Sequence, residues 1–229
     1  MATVGLISPT SGFTEEEQRL RHDFYARYLP SDVEIVQVNM PDGPEFLDRG
    51  EHFGDAAKAA ERFYRDLDAS RFDVIVATGA IDPALPRVRE LAPGPVVAPG
   101  EASMYLASIV GRPLSIVTVD EHAVRAAEPF IAQTRAKPEI VSVRSMDVPV
   151  RQIVQDRARG AEALEREIRL AVSQDGAQAV YLGSMTLGTL GVAQRLREEL
   201  RIPIFDPIRI VARAALELLV ALGRHTGAP

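Results

Sequence analysis

The chain has 229 residues, with 26 Lys and Arg against 32 Asp and Glu and a formal net charge of −6. Hydrophobic residues make up 46%, enough to build the core of one large domain or two small ones. Cysteine is absent, which excludes disulfides, thiolate metal ligands and any cysteine nucleophile or base. Short apolar runs rich in Val and Ile occur at 3–8, 33–38, 73–78, 95–98, 114–119, 139–143, 178–183 and 202–205. Most lack strict alternation, as expected of strands buried on both faces in a parallel sheet. Helical periods lie between them. Leu20, Phe24 and Tyr28 form one stripe; Ala56, Ala60, Phe63 and Leu67 a second; Leu164, Ile168 and Val172 a third.

Helix-start signals accompany these periods. Thr14 with Glu17, and Thr118 with Glu121, have capping-box spacing. Asp82-Pro83 and Asp206-Pro207 read as an N-cap followed by proline at the first helical position. Strands alternating with helices predict an α/β fold with a mainly parallel sheet. An internal echo divides it. Asp73-Val-Ile-Val-Ala-Thr-Gly79 and Ala179-Val-Tyr-Leu-Gly-Ser184 are each an apolar strand ending in a small-residue turn. The expectation is two similar four-stranded α/β lobes with the active site between them. The first covers 1–98 plus 206–229, its final helix of about 207–222 packing back on it; the second covers 99–205. Ligands in such folds bind at the carboxyl ends of strands. The irregular stretches 39–54 and 145–155 are long enough to cover a cleft.

Four turns carry candidate chemistry, each with a structural alternative. Ile7-Ser-Pro-Thr-Ser-Gly12 presents Pro9, Thr10 and Ser11 after the first strand, either as hydroxyl and N–H donors to an anion or as an ordinary strand-to-helix turn. In Ala77-Thr-Gly-Ala-Ile-Asp-Pro83, Gly79 permits close backbone approach, Thr78 offers a hydroxyl, and Ala80 follows. Asp82 there reads as a helix cap rather than a catalytic acid. Leu182-Gly-Ser-Met-Thr-Leu-Gly-Thr-Leu-Gly191 is glycine-rich but is neither a P-loop nor a dinucleotide fingerprint. Its Ser184, between Gly183 and Met185-Thr186, is a nucleophile or hydrogen-bond donor, or else a helix N-cap. In Pro99-Gly-Glu-Ala-Ser-Met-Tyr105, Glu101 reads as a surface acid near a helix start or as an acid pointing into the cleft, and Tyr105 as core or ligand contact. The histidines are His22, His52, His122 and His225, without metal-ligand spacing, so no metal is expected; His52, in an irregular segment, is a remote candidate.

Together these segments resemble the aspartate/glutamate/hydantoin racemase superfamily, which includes hydantoin and allantoin racemases, maleate isomerase and arylmalonate decarboxylase. Ile7-Ser-Pro-Thr-Ser11 resembles the family's I-N-P-N-T-S opening, with Thr10 in place of Asn. Gly79-Ala-Ile-Asp-Pro-Ala-Leu85 resembles C-F-G-D-P-G-L, and Pro99-Gly-Glu-Ala-Ser-Met104 resembles G-I-G-E-A-A-M. Val143-Arg-Ser-Met-Asp-Val-Pro-Val150 resembles V-R-x-x-D-V-P-V, and Leu182-Gly-Ser-Met185 resembles the start of L-G-C-A-G-M. The segment 205–223 resembles the family's last strand and helix.

The resemblance implies two pseudo-symmetric lobes, an interlobe site and no metal or organic cofactor. It also implies enolate chemistry, in which one cysteine removes an α-proton and another returns it. Positions 79 and 184 hold those two cysteines in the family, and here they are glycine and serine. A serine hydroxyl is too weak an acid to act as a base unaided, so two-thiol racemisation is excluded. Arylmalonate decarboxylase also has glycine at the first position, where loss of CO₂ generates the anion without a base.

The expected activity is therefore a cofactor-independent lyase, decarboxylase-like, on a small carboxylate, amide or hydantoin-like substrate. The alternatives are an isomerase using residues other than cysteine and a catalytically silent anion-binding protein. Gly79 and Ser184 are the candidate catalytic positions; Pro9, Thr10, Ser11, Thr78, Ala80, Thr118, Gly183, Met185 and Thr186 are candidate substrate contacts. The acidic balance, with arginines scattered among acids from Arg157 to Glu167, argues against a nucleic-acid partner. No stretch reaches the roughly 18 apolar residues of a membrane span. The start, Met1-Ala-Thr-Val-Gly-Leu-Ile7, lacks a basic leader, so a cytoplasmic location is expected. The apolar last helix suits a homo-oligomer.

Overall fold

A computed structural model of the chain describes residues 1–68 and 71–226. Among the described residues, eight strands form two four-stranded parallel sheets. The first contains β1 (Ala2–Ser8), β2 (Val33–Asn39), β3 (Val74–Ala77) and β4 (Val96–Val97), in the order β2-β1-β3-β4. The second contains β5 (Leu114–Thr118), β6 (Ile140–Ser145), β7 (Ala179–Leu182) and β8 (Ile204–Phe205), in the order β6-β5-β7-β8. The orders are the same, so β1 corresponds to β5 and β3 to β7. All eight apolar runs are strands; the central β1, β3, β5 and β7 are buried on both faces as their lack of alternation implies, whereas the edge strands β2 and β6 are mostly half-buried.

The helices follow the same plan. In the first half they are α1 (Glu15–Ala26), α2 (Gly50–Arg65), α3 (Leu85–Leu91) and α4 (Pro99–Val110). The second half holds α5 (Glu121–Gln133), α6 (Val150–Gln155), α7 (Arg157–Gln174), α8 (Met185–Gly188), α9 (Ala193–Leu200) and α10 (Pro207–Ala221). Tyr28 and Leu67 fall beyond the ends of the helices whose stripes they continue. None of the described helices is long and apolar enough to cross a membrane.

Alternate side chains of each strand enter different cores. Val74 and Val76 of β3, with Ala179 and Tyr181 of β7, lie in a central cluster shared by both sheets. Ile208, Val211, Ala215 and Leu219 of α10 and Met104 and Ala107 of α4 join the same cluster. α10 packs on β3, β4 and α1, and also on α4 and α8. Ile75 turns the other way, toward Ala59, Ala60 and Tyr64 of α2. Val180 and Leu182 turn toward Leu164 and Ile168 of α7. Truncating any of these large side chains costs about 2–5 kcal/mol.

The caps show where local reading succeeds and fails. Thr14 accepts from Glu17 N and Glu17 reaches back to Thr14 N, the expected capping box of α1. Asp206 caps α10 by accepting from Ile208 N at 3.0 Å. Thr118 does not cap α5: Asp120 does, accepting from Ala123 N at 2.9 Å. Asp120 stands one residue before the helix, whereas Thr118 still belongs to β5. Asp82 does not cap the helix that follows it either. α3 begins only at Leu85, and Asp82 sits in the left-handed region at φ 49°. Its carboxylate instead accepts from Gly100 N (2.8 Å) and Glu101 N (2.5 Å), capping α4 across space. Burial pushes this carboxyl up to about 7.

Candidate active site

Parallel strands deliver their carboxyl ends to one edge, and the four central strands here deliver theirs to one cavity of about 70 Å³. The turn after β1 supplies Ser8, Pro9, Thr10 and Phe13, and the turn after β3 supplies Thr78, Gly79, Ala80 and Ile81. After β5 come Val119 and Ala123; after β7 come Gly183, Ser184, Met185 and Thr186. Gly79 and Ser184 thus stand on corresponding turns of the two halves, facing one space. Pro9, Thr10, Thr78, Ala80, Gly183, Met185 and Thr186 join them there.

Two of the expected contacts lie elsewhere. The Ser11 hydroxyl donates to Gly43 O (3.0 Å), while Ser11 N and Gly12 N donate to Pro44 O and Glu45 O. Ser11 therefore anchors the 39–49 segment and does not line the cavity. Thr118 is buried behind the Gly183 turn, donating to Gly183 O at 3.2 Å. A Cβ on Gly183 would meet Thr118 Cβ at 3.1 Å, so the turn and β5 are in close contact. Tyr105 is 44% exposed, neither core nor cavity, because it lies on the outer face of α4. Glu101 pairs with Arg89 at the surface. His52 meets Asp48 at 3.0 Å in a groove outside the cavity. The described residues include no group of three or more His, Asp or Glu that could hold a metal ion.

Both long irregular segments contribute to the cover. Phe46 and Leu47 come from 39–49, Phe53 from the start of α2 and Val150 from the start of α6. Phe13 and Phe46 meet edge to face at 5.3 Å. Arg151 ties the two segments together, reaching Glu45 at 2.6 Å and Asp48 at 3.7 Å. These exposed pairs are screened by solvent and contribute little to stability.

Hydrogen-bond geometry sets the polarity of the cavity. Ser8 Oγ and Thr10 Oγ1 share one hydrogen bond of 2.9 Å. Thr78 Oγ1 donates to Ile7 O at 3.1 Å, so its proton is already committed. Tyr181, from the second sheet, donates to Ala80 O at 2.6 Å and holds the Gly79 turn in place. Ser184 occupies the N-cap position of α8, but its side chain makes no capping bond. Its hydroxyl remains available to a ligand.

One lining residue carries charge, and the sequence reading missed it. Arg21 projects from α1 and donates to Thr186 Oγ1 at 2.7 Å. Its guanidinium lies 3.7 Å from the Phe13 ring centroid. Burial lowers its pKa to about 10, which leaves it cationic at neutral pH. Among the described lining residues it is the only Arg, and no Asp, Glu, His, Lys or Tyr joins it. The cavity therefore offers hydroxyl and guanidinium donors but no ordinary general base. In the sequence, Arg21 lies within Glu15-Glu-Glu-Gln-Arg-Leu-Arg-His22 and reads as part of a solvated helix face. Its only signal was proximity to the opening motif.

A family model described as Asp/Glu/Hydantoin racemase matches residues 4–215. The chain is 27% identical over 218 residues to a hydantoin racemase of Rhizobium meliloti, a match covering 95% of this chain and 89% of that protein. It is 33% identical over 145 residues to a hydantoin racemase of Paenarthrobacter aurescens, covering 63% of this chain and 60% of that relative. The solved structure of allantoin racemase from Klebsiella pneumoniae superposes with a TM-score of 0.84 at 26% identity, covering 97% of this chain and 89% of that one. A matched model spanning nearly the whole chain, and the paired turns at 79 and 184, agree: the chain belongs to the Asp/Glu/hydantoin racemase family.

Proposed function

We propose that this family member is a cofactor-independent enzyme that acts on a small carboxylate, amide or hydantoin-like substrate through an enolate-like anion without thiol chemistry, as a decarboxylase-type lyase. The observation that carries this reading is a cavity rich in hydrogen-bond donors and empty of bases. Racemisation must begin with removal of an α-proton, and neither Gly79 nor Ser184 supplies a competent base. Decarboxylation needs none. The bond from the α-carbon to the departing carboxylate breaks, and CO₂ leaves. The electron pair stays on the α-carbon and is shared with the adjacent carbonyl oxygen. A proton from Ser184 Oγ or from solvent then forms the new C–H bond, and Ser184 recovers its proton from water. Donors aimed at the developing oxyanion lower the barrier. Ser184, Thr186 and the Ser8–Thr10 pair are the hydroxyls in place to do so.

The test is CO₂ release from a panel of α-substituted malonates in D₂O. One deuterium at the α-carbon of the product is expected, and Ser184→Ala should lower kcat by about tenfold or more, since a transition-state donor is commonly worth that much. Gly79→Leu should block turnover, since its side chain has no room beside Pro83 and displaces the turn that lines the cavity. The names of the relatives favour an isomerase as second reading. Deuterium exchange at the α-carbon of hydantoins, with no CO₂ released from any malonate, would establish that instead. Tight binding with no turnover of either kind would point to a silent anion-binding protein.

A further inference from the structure

We propose that Arg21 makes the cavity selective for an anionic substrate, its guanidinium and the Thr186 hydroxyl together holding a carboxylate group. This rests on the cavity being the substrate site and extends that reading to the charge of the ligand. A guanidinium has five N–H donors in a planar fork suited to a carboxylate. Among the described residues only one is spent, on Thr186 Oγ1. The group lies over the Phe13 ring, its central carbon 3.7 Å from the ring centroid.

Among the described residues no carboxylate touches it. No ion pair joins Arg21 to any of the described residues; the nearby Glu17 favours its charged form from a distance, with its Oε2 accepting from Thr14 N and Thr14 Oγ1 in the capping box. A second cation reinforces the field. Arg157, from α7 in the other half, donates to Thr189 O and Thr189 Oγ1 at the end of the same turn. It lies close enough to repel Arg21. Two like charges converge on the 186–189 turn; Glu17 acts on both, but without direct contact to either among the described residues, and one of the two lines a partly desolvated cavity. An anion completes the arrangement. Thr186 accepts from Arg21, so its own proton is free to donate to the same ligand. The other lining side chains are neutral, so discrimination between an acid and its amide falls to this one group.

Calorimetric titration tests this with malonate and phenylacetate against malonamide and phenylacetamide. The wild-type protein should bind each carboxylate at least about tenfold more tightly than its amide, roughly one charge-assisted hydrogen bond's worth of selectivity. Arg21→Gln should bring the ratio near one, and Arg21→Lys should keep part of it. Equal affinity for acid and amide in the wild type, no carboxylate binding at millimolar concentration, or an unchanged ratio in Arg21→Gln would overturn the assignment. The wild-type ratio and the Lys variant decide the matter even if the Gln variant does not fold. These are binding measurements. A selectivity lost with Arg21→Gln alongside no CO₂ release sinks the lyase reading and leaves Arg21 standing. CO₂ release with no acid–amide selectivity does the reverse.

Discussion

Placing a methyl group at Gly79 tests whether this turn excludes a side chain. A Cβ built there would stand 2.7 Å from Pro83 Cδ, 3.1 Å from Pro83 Cγ and 3.8 Å from Pro9 Cγ. The first distance is one that real Cβ atoms do not adopt, and Cδ is tied by the ring to the Pro83 backbone nitrogen. The contact cannot be relieved by a rotamer change. It requires movement of the 82–83 backbone, where Asp82 is held at φ 49° by two N–H groups of α4. Overpacking of this kind costs about 1–3 kcal/mol. Removing glycine's freedom from the unfolded chain returns about 0.4–1 kcal/mol. Gly79→Ala should therefore lose about 1–2 kcal/mol net, a fall in Tm of roughly 2–8 °C for a chain of this size.

Gly54→Ala is the matched control. It lies inside α2, and its Cβ would meet nothing within 4 Å. Replacing a helix-interior glycine should stabilise by about 0.5–1 kcal/mol. Urea unfolding followed by circular dichroism reads both variants on one scale, with shifts in midpoint at constant slope. If both variants shift the same way by the same amount, the Pro83 contact is not a constraint. The argument that position 79 is closed to a side chain would then fail. If it holds, Gly79→Cys displaces the turn at a similar cost or greater, so restoring the family's thiol there cannot be a neutral change.

Burial pushes Asp82 up to about 7 and Asp206 up to about 6. Between about pH 4 and 7 the native protein then holds protons that the unfolded chain has released, so stability falls as pH rises through that window and levels off above it. Asp82→Asn should flatten the portion between pH 6 and 7 in urea midpoints taken from pH 4.5 to 8; an unchanged slope there would contradict the assignment to Asp82. Tyr181→Phe removes the 2.6 Å bond to Ala80 O and leaves a buried carbonyl without its partner. It should cost about 1–2 kcal/mol in the same assay, and a variant as stable as wild type would show that the Gly79 turn is held without it.

The residues by themselves determined the strands, the fold class and most of the cavity floor. Apolar runs of four to eight residues between helical periods admit little except buried parallel strands. Once the strands are parallel, the turns at their carboxyl ends must share an edge. Pro9, Thr10, Thr78, Gly79, Gly183 and Ser184 were legible for that reason. The absence of cysteine was legible too, and it leaves glycine at 79 and serine at 184, the positions where the family resemblance implies thiols.

Tertiary structure decided what depends on contacts between distant segments. Asp82 looks like a cap for the helix beside it, but the carboxylate serves α4 instead, since α3 does not begin until Leu85. Ser11 looks like a ligand contact, but its hydroxyl is taken by Gly43 O from a segment 32 residues away. Arg21 looks like one more charge on a solvated helix. Only the approach of the two halves sets it, beside Phe13, against Thr186, 165 residues away in sequence, and makes it the one charge among the described residues lining the cavity. Local pattern carries backbone conformation and burial. The sign of the charge inside a cleft depends on which distant surfaces exclude water together, and no short window of sequence contains that.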